Sequence, residues 1–131
     1  MLKLSVKVAT FIALGAVSSL ASASDPIPRE LVSIVSKVHS AAVRRDYLTL
    51  RASMDAEFTW SFGGDGDPAQ ALAEWKTDAR YLKSLSKVTR AKCGWIVRGV
   101  YQCPAKAGLA FRAGFKQVEG GWKMVYFVEG D

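Results

Sequence analysis

The sequence predicts an α+β fold in which N-terminal helices pack in a curved antiparallel sheet, a cone-shaped α+β barrel with one hairpin disulfide. Three observations predict this fold. From Arg29, apolar residues recur every three or four positions, which is the period of a helix. From Glu57, and through most of the last third of the chain, they recur every second position, which is the period of a strand. The only two cysteines, Cys93 and Cys103, flank a turn-like segment.

The first 23 residues have the layout of a secretory signal peptide. Lys3 and Lys7 form a basic start, a run of about 13 mostly apolar residues follows, and residues 21–23 supply an A-x-A cleavage pattern. An apolar run of this length is short of the roughly 20 residues that a membrane span needs. We therefore expect an exported protein, periplasmic or secreted, that has no stable membrane span after cleavage and consists of one domain at residues 24–131.

The charge balance is mildly basic. The chain carries 18 basic and 12 acidic side chains, a formal net charge of +6. Cleavage would remove Lys3 and Lys7, so the mature domain would keep 16 basic side chains and a net charge of about +4. This excess fits an anionic envelope surface or an acidic protein partner. Few aromatic residues lie among the basic ones, so we expect no nucleic-acid partner.

Two helices are predicted first. Residues of one apolar stripe recur at helical spacing, and they are Leu31, Ile34, Val35, Val38 and Ala42. Asp46 has the chemistry of an N-cap for a second helix that runs from Tyr47 to about Ser53. The apolar residues that this second helix offers for burial are Tyr47, Leu48, Leu50 and Met54.

A strand and a longer helix follow. In residues 57–62 the aromatic side chains alternate with polar ones, which predicts a strand with an aromatic inner face. Residues 63–68, rich in Gly and Asp, predict a loop that ends this strand. Asp67 as a cap and Pro68 at the first helical position then predict a helix that continues to about Leu85.

The last third predicts a cysteine hairpin followed by two further strands. Cys93 and Cys103 are symmetric about a three-residue loop at residues 97–99, with Gly99 in the left-handed conformation that such loops require. This places the cysteines opposite each other and favours a structural disulfide over a redox-active pair, since no CxxC motif is present.

The final hairpin joins a strand at residues 109–116 to a strand at residues 122–128. Two registers are compatible with its glycine turn, one placing Phe115 opposite Tyr126 and the other placing it opposite Met124. Both registers put four residues of the last strand on the inner face, namely Trp122, Met124, Tyr126 and Val128.

Under these assignments the aromatic side chains of the strands all face one interior. They are Phe58, Trp60, Phe62, Trp95, Tyr101, Phe111, Phe115, Trp122 and Tyr126. The interior is either a filled core or a cavity for a small apolar ligand, and the sequence does not separate the two. If it is hollow, all of these residues except Tyr101 are assigned to its lining.

Catalytic motifs are sparse. The sequence has no phosphate loop, no GxSxG, no HExxH and no zinc-type cysteine set, so we expect neither a cofactor nor a metal. Asp65 and Asp67 are too few for a calcium loop. Three candidates remain for acid–base chemistry: Asp55 and Tyr47, which lie near the start of the aromatic strand, and His39, the only histidine.

The order of elements resembles the nuclear transport factor 2-like superfamily, the SnoaL-like and ketosteroid isomerase-like cone folds. The resemblance is carried by the long first helix, the short helix that leads into residues 54–58, the glycine-rich residues 63–66, and residues 115–124, where a tryptophan follows the last turn. It covers nearly all of residues 24–131. It implies a pocket at the open end of the cone and a homodimer formed through the outer sheet face.

The resemblance implies no single activity, because the superfamily includes isomerases, dehydratases and binding modules. In its isomerase branch an acidic base and a tyrosine donor face the pocket, and Asp55 and Tyr47 are the nearest candidates here. The leader and the cysteine hairpin depart from the common cytoplasmic members.

Three functional hypotheses follow. The first is an exported domain, without a convincing catalytic set, that binds a small apolar ligand or an envelope protein partner. The second is a cofactor-free isomerase or lyase that uses a carboxylate in an apolar pocket. The third is an inhibitor or immunity-type protein that acts through a basic face formed by Arg80, Lys83 and Lys87.

Overall fold

The computed structural model describes residues 26–61 and 66–130. Within these ranges the chain forms four helices and five strands, in the order α1 (Arg29–Arg44), α2 (Tyr47–Ser53), β1 (Met54–Thr59), α3 (Pro68–Thr77), α4 (Ala79–Val88), β2 (Gly94–Val97), β3 (Val100–Cys103), β4 (Arg112–Val118) and β5 (Gly121–Val128). The predicted leader, Phe62 and Asp65 lie outside the described residues. No helix in the described ranges is long and apolar enough to cross a membrane.

The strands form one sheet in the order β1-β5-β4-β3-β2. Neighbouring strands from β2 to β5 pair antiparallel, as the sequence predicts. Strand β1 joins the other edge in parallel with β5, with Met54 opposite Met124. The α+β class is therefore confirmed, and the sheet is mixed rather than wholly antiparallel.

Helices α1 and α2 follow the sequence prediction closely. Five residues of α1 are buried, and they are Leu31, Ile34, Val38, Ala41 and Ala42. Arg45 ends α1 in the left-handed conformation, and Asp46 then caps α2. The Asp46 carboxylate accepts hydrogen bonds from the Thr49 backbone N–H (3.1 Å) and the Thr49 hydroxyl (2.6 Å). These bonds lower the pKa of the Asp46 carboxyl, as expected for an acceptor at a helix start.

The single helix predicted from Pro68 to about Leu85 is two helices. Asp78 leaves the helical conformation with φ −133° and ψ 104°, and its carboxylate accepts from the Arg80 N–H at 2.9 Å. Asp78 therefore ends α3 and caps α4, the same role that Asp67 has at the start of α3. The periodicity continues across this junction, which explains why the sequence pattern conceals it.

Two apolar residues expected to be buried are exposed. Leu48 of α2 is 86% exposed, and Leu109 precedes the strand that it was predicted to begin and is 69% exposed. The first strand also begins earlier than predicted, at Met54 instead of Glu57, because the backbone turns directly from the end of α2 into the sheet. Phe58 keeps its predicted inward position and is fully buried.

The cysteine hairpin forms with Gly94 opposite Gln102 and Trp95 opposite Tyr101. This is the predicted register, and it brings Cys93 and Cys103 to a Cα–Cα distance of 4.2 Å, where they form a disulfide. The loop contains two residues instead of three, because the pairing shifts between Trp95 and Val97. Gly99 has φ +82°, the left-handed conformation that the sequence predicts for it.

Removal of the disulfide should destabilise the domain without unfolding it. The Cys93→Ser/Cys103→Ser variant should lose about 2–3 kcal/mol of unfolding free energy, because the bond closes a short loop in the unfolded chain. Urea denaturation of the oxidised wild-type protein and the variant measures this loss. Reducing agent should lower the stability of the wild-type protein and leave that of the variant unchanged. Equal stability of all four samples would contradict the prediction.

The final hairpin adopts the second predicted register, with Phe115 opposite Met124 and a two-residue turn at Glu119–Gly120. The pairing then shifts between Gly114 and Phe115, so that Gly114 lies opposite Tyr126. Beyond Met124, this irregularity exchanges the inner and outer positions of the β5 side chains. The predicted inward position of Tyr126 is therefore wrong: Tyr126 shares the outer face with Gly114, and Phe127 takes the inner face beside Ala113.

Candidate functional site

The predicted aromatic interior is solid at one end. Trp75 of α3 is buried with its ring centroid 5.8 Å from that of Phe58 and 5.6 Å from that of Phe127, both edge to face. Phe111 stacks on Phe127 at 5.0 Å, and Phe115 is fully buried. Of the predicted lining residues, Phe58 and Phe115 therefore pack into a filled core, whereas Phe111 also lines an open cleft of about 240 Å³ beside the end of α4.

The remaining aromatic residues lie in other places. Trp95 and Trp122 are half-buried, with their ring centroids 5.9 Å apart, and Trp95 also contacts Tyr101 at 5.2 Å. Trp60 packs against the core from just beyond β1. Tyr126 lies on the outer face, where its hydroxyl donates to Gln102 Oε1 at 2.5 Å.

An open groove lies between α1, the end of α4 and Tyr101 of β3. Its volume is about 310 Å³, and we call it the His39 groove after the residue at its edge. Val32, Val35 and Tyr101 supply apolar surface, and Thr89 and Arg90 supply polar groups. Tyr101 is buried, and this burial raises the pKa of its phenol further above the neutral range.

The His39 ring is held in place by α4. Its Nδ1 lies 2.9 Å from the Ser86 carbonyl oxygen and 3.0 Å from Thr89 Oγ1. The carbonyl can only accept, so the hydrogen-bond network assigns the proton of the neutral ring to Nδ1. Nε2 is then an acceptor. Hydrogen bonds at Nδ1 therefore hold the His39 ring at the edge of the groove, and Nε2 is its acceptor atom.

The other two acid–base candidates, Asp55 and Tyr47, do not line the His39 groove. Asp55 is half-buried on β1, and its carboxylate accepts from the Glu57 backbone N–H at 3.4 Å. Tyr47 packs partly against the core, and the Lys76 ammonium lies 4.9 Å from its ring centroid. Each side chain therefore interacts with its own local neighbours.

The basic face predicted on α4 is partly neutralised. Arg80 lies 3.6 Å from the Asp78 carboxylate and 3.7 Å from that of Glu129, and its guanidinium is 5.2 Å from the Tyr81 ring centroid. Lys83 and Lys87 remain exposed. In the described part of the chain, no group of three or more His, Cys, Asp or Glu side chains is arranged to hold a metal ion.

Two features were missed at the sequence level. Trp75, the centre of the buried aromatic cluster, lies on a helix and was left out of the strand-based aromatic set. The partners Thr89 and Arg90 of the His39 groove are far from His39 along the chain. Trp75 lies within the helix that the sequence predicts from Pro68, whereas nothing in the sequence pairs α1 with the end of α4.

Comparison with known proteins gives one structural likeness. No family model matches the chain, and no curated protein matches its sequence. Among solved structures, the chain is similar to an NTF-2 like protein of unknown function from Shewanella oneidensis MR-1. The TM-score is 0.47 and the identity 11%, over 78% of this chain and 97% of the other.

Proposed function

We propose that this protein is an exported, non-catalytic binding protein for a small, largely apolar ligand that occupies the His39 groove. The observation that carries the proposal is the groove itself: about 310 Å³ of open space with valine and tyrosine walls, beside a histidine that α4 holds in position. This volume lies at the lower end of the range for small-molecule sites. The proposed export rests on the leader-like residues 1–23.

The polar groups define the rest of the ligand. Among the lining residues, a neutral His39 ring can accept through Nε2, the Tyr101 hydroxyl can donate, and Arg90 carries a positive charge. A ligand with an aliphatic body and one hydroxyl or carboxylate group would satisfy these groups and cover Val32 and Val35. Medium-chain alcohols and acids have this chemistry. The carboxylate-based isomerase gains no support from Asp55, which bonds to its own strand.

Octanol and octanoate are suitable probes, titrated into the processed protein by calorimetry. The protein is expressed with its leader and purified from the periplasmic fraction. An intact mass that corresponds to a chain starting at Ser24 would report cleavage of the leader. At least one probe should bind saturably. Val32→Lys should weaken its binding about tenfold, because burial of a valine side chain contributes roughly 1.5–3 kcal/mol.

Leu48→Lys is the matched control. Val32 and Leu48 are both exposed apolar residues on helices, at 55% and 86%, and Leu48 does not line the His39 groove. The control should bind the probe as the wild-type protein does. Equal losses in the two variants, or no saturable binding of either probe to the wild-type protein, would rule out the groove as the site.

A further inference from the structure

A second cleft lies beside α1 and shares no lining residue with the His39 groove. Its volume is about 470 Å³. It is bounded by the first turns of α1, the end of α2 and the turn between β4 and β5. We call it the basic cleft, because its charged lining residues are Arg29, Lys37, Lys123 and Glu30.

Three cations surround this hollow against one carboxylate. Arg29 and Lys37 are exposed and lie eight residues apart on α1, roughly 12 Å along its axis. Lys123 is half-buried, and its ammonium donates to the Ala52 carbonyl at 2.6 Å, which fixes it at the end of α2. No ion pair involves these three cations among residues 26–61 and 66–130. The lining therefore keeps a net charge of +2.

From this arrangement we propose that the basic cleft binds a ligand through a phosphate group. A phosphomonoester carries about −1.5 to −2 charges at neutral pH, which matches the excess of the lining. Its oxygens can accept from an arginine fork and from lysine ammonium groups at once. Trp122 also lines the cleft and offers a flat apolar surface to the carbon part of the ligand.

Two sources carry this chemistry: a soluble phosphate ester, and the headgroup of an anionic phospholipid. The first is probed with glycerol 3-phosphate, followed by NMR on the processed protein, with glycerol as the uncharged control. The second is probed by sedimentation with vesicles of phosphatidylglycerol against vesicles of phosphatidylcholine. Binding to either phosphate probe should weaken as salt is added.

The test variant is Arg29→Gln/Lys37→Gln, and the charge-matched control is Lys83→Gln/Lys87→Gln on α4. Both remove two positive charges from exposed helix positions. The cleft variant should bind the phosphate probe at least about tenfold more weakly, and the control should stay within about twofold of the wild-type protein. Circular dichroism verifies that both variants fold.

The two experiments distinguish a soluble phosphate ester from a phospholipid headgroup. Cleft-dependent binding of glycerol 3-phosphate supports a soluble ligand, and cleft-dependent binding to phosphatidylglycerol vesicles alone supports a lipid headgroup. Equal weakening in the two double variants would show general charge attraction and overturn the proposal. Absence of binding in both arms would also overturn it.

Discussion

Trp75→Ala should lower the free energy of unfolding by about 3–5 kcal/mol, the range for removal of a large aromatic side chain from a packed core. Trp75 belongs to α3 and is 1% exposed, and its ring lies between α4 and the inner face of the sheet. Its ring meets Phe58 and Phe127 edge to face and stacks near Tyr81 at 6.5 Å. The substitution would leave a large cavity at the solid end of the interior. Urea denaturation followed by circular dichroism measures the loss.

Trp75→Phe separates the ring contacts from the indole nitrogen. Trp75 Nε1 is buried and has no hydrogen-bond partner in the described residues, so its removal forfeits no such bond. The phenyl ring keeps part of the aromatic contacts, and we expect a cost of about 1–2 kcal/mol. A cost for Trp75→Phe equal to that of Trp75→Ala would instead show that the nitrogen bonds a group or a water that stabilises the core.

Local chemistry explains the parts of the fold that the sequence predicts well. The Asp46 cap depends on a residue three positions away, and the cysteine hairpin depends on symmetry within eleven residues. Both interactions are short-range, so residue types and spacing are enough to specify them. The buried stripe of α1 is predictable for the same reason, because the helical period alone selects it.

The errors arise where tertiary structure overrides a repeating pattern. The apolar period continues through Asp78, yet the helix is interrupted there because the Asp78 carboxylate caps the helix that follows. The His39 groove depends on a contact between residues 39 and 86, and the parallel pairing of β1 with β5 joins residues 54 and 124. No local pattern encodes such pairings. The sequence leaves open whether the aromatic interior is filled; Trp75 from a helix fills one end of it, and two open clefts, the His39 groove and the basic cleft, lie beside α1.

Gly114→Ala should cost about 4 kcal/mol, because Tyr126 occupies the space that a β-carbon needs. A Cβ built on Gly114 lies 2.0 Å from Cε2 and 2.1 Å from Cζ of the Tyr126 ring. The ring cannot move freely, since its hydroxyl donates to Gln102, a side chain only 7% exposed. Overpacking contributes about 1–3 kcal/mol, and an unpaired Gln102 oxygen adds about 1–3 kcal/mol.

A double-mutant cycle with Tyr126→Ala isolates this contact. With the ring removed, the alanine at 114 has room, and its cost should fall to about zero because alanine suits a strand interior better than glycine. Gly94→Ala is the control: its Cβ would lie 3.2 Å from the small Ala105 side chain, so a cost under about 1 kcal/mol is expected in either background. If Gly114→Ala costs the same with and without Tyr126, the ring does not lie across Gly114. A coupling energy of about 3 kcal/mol or more between the two substitutions would place Tyr126 on the outer face. The shift in the pairing of β5 puts it there, whereas strict alternation along the strand would put it on the inner face.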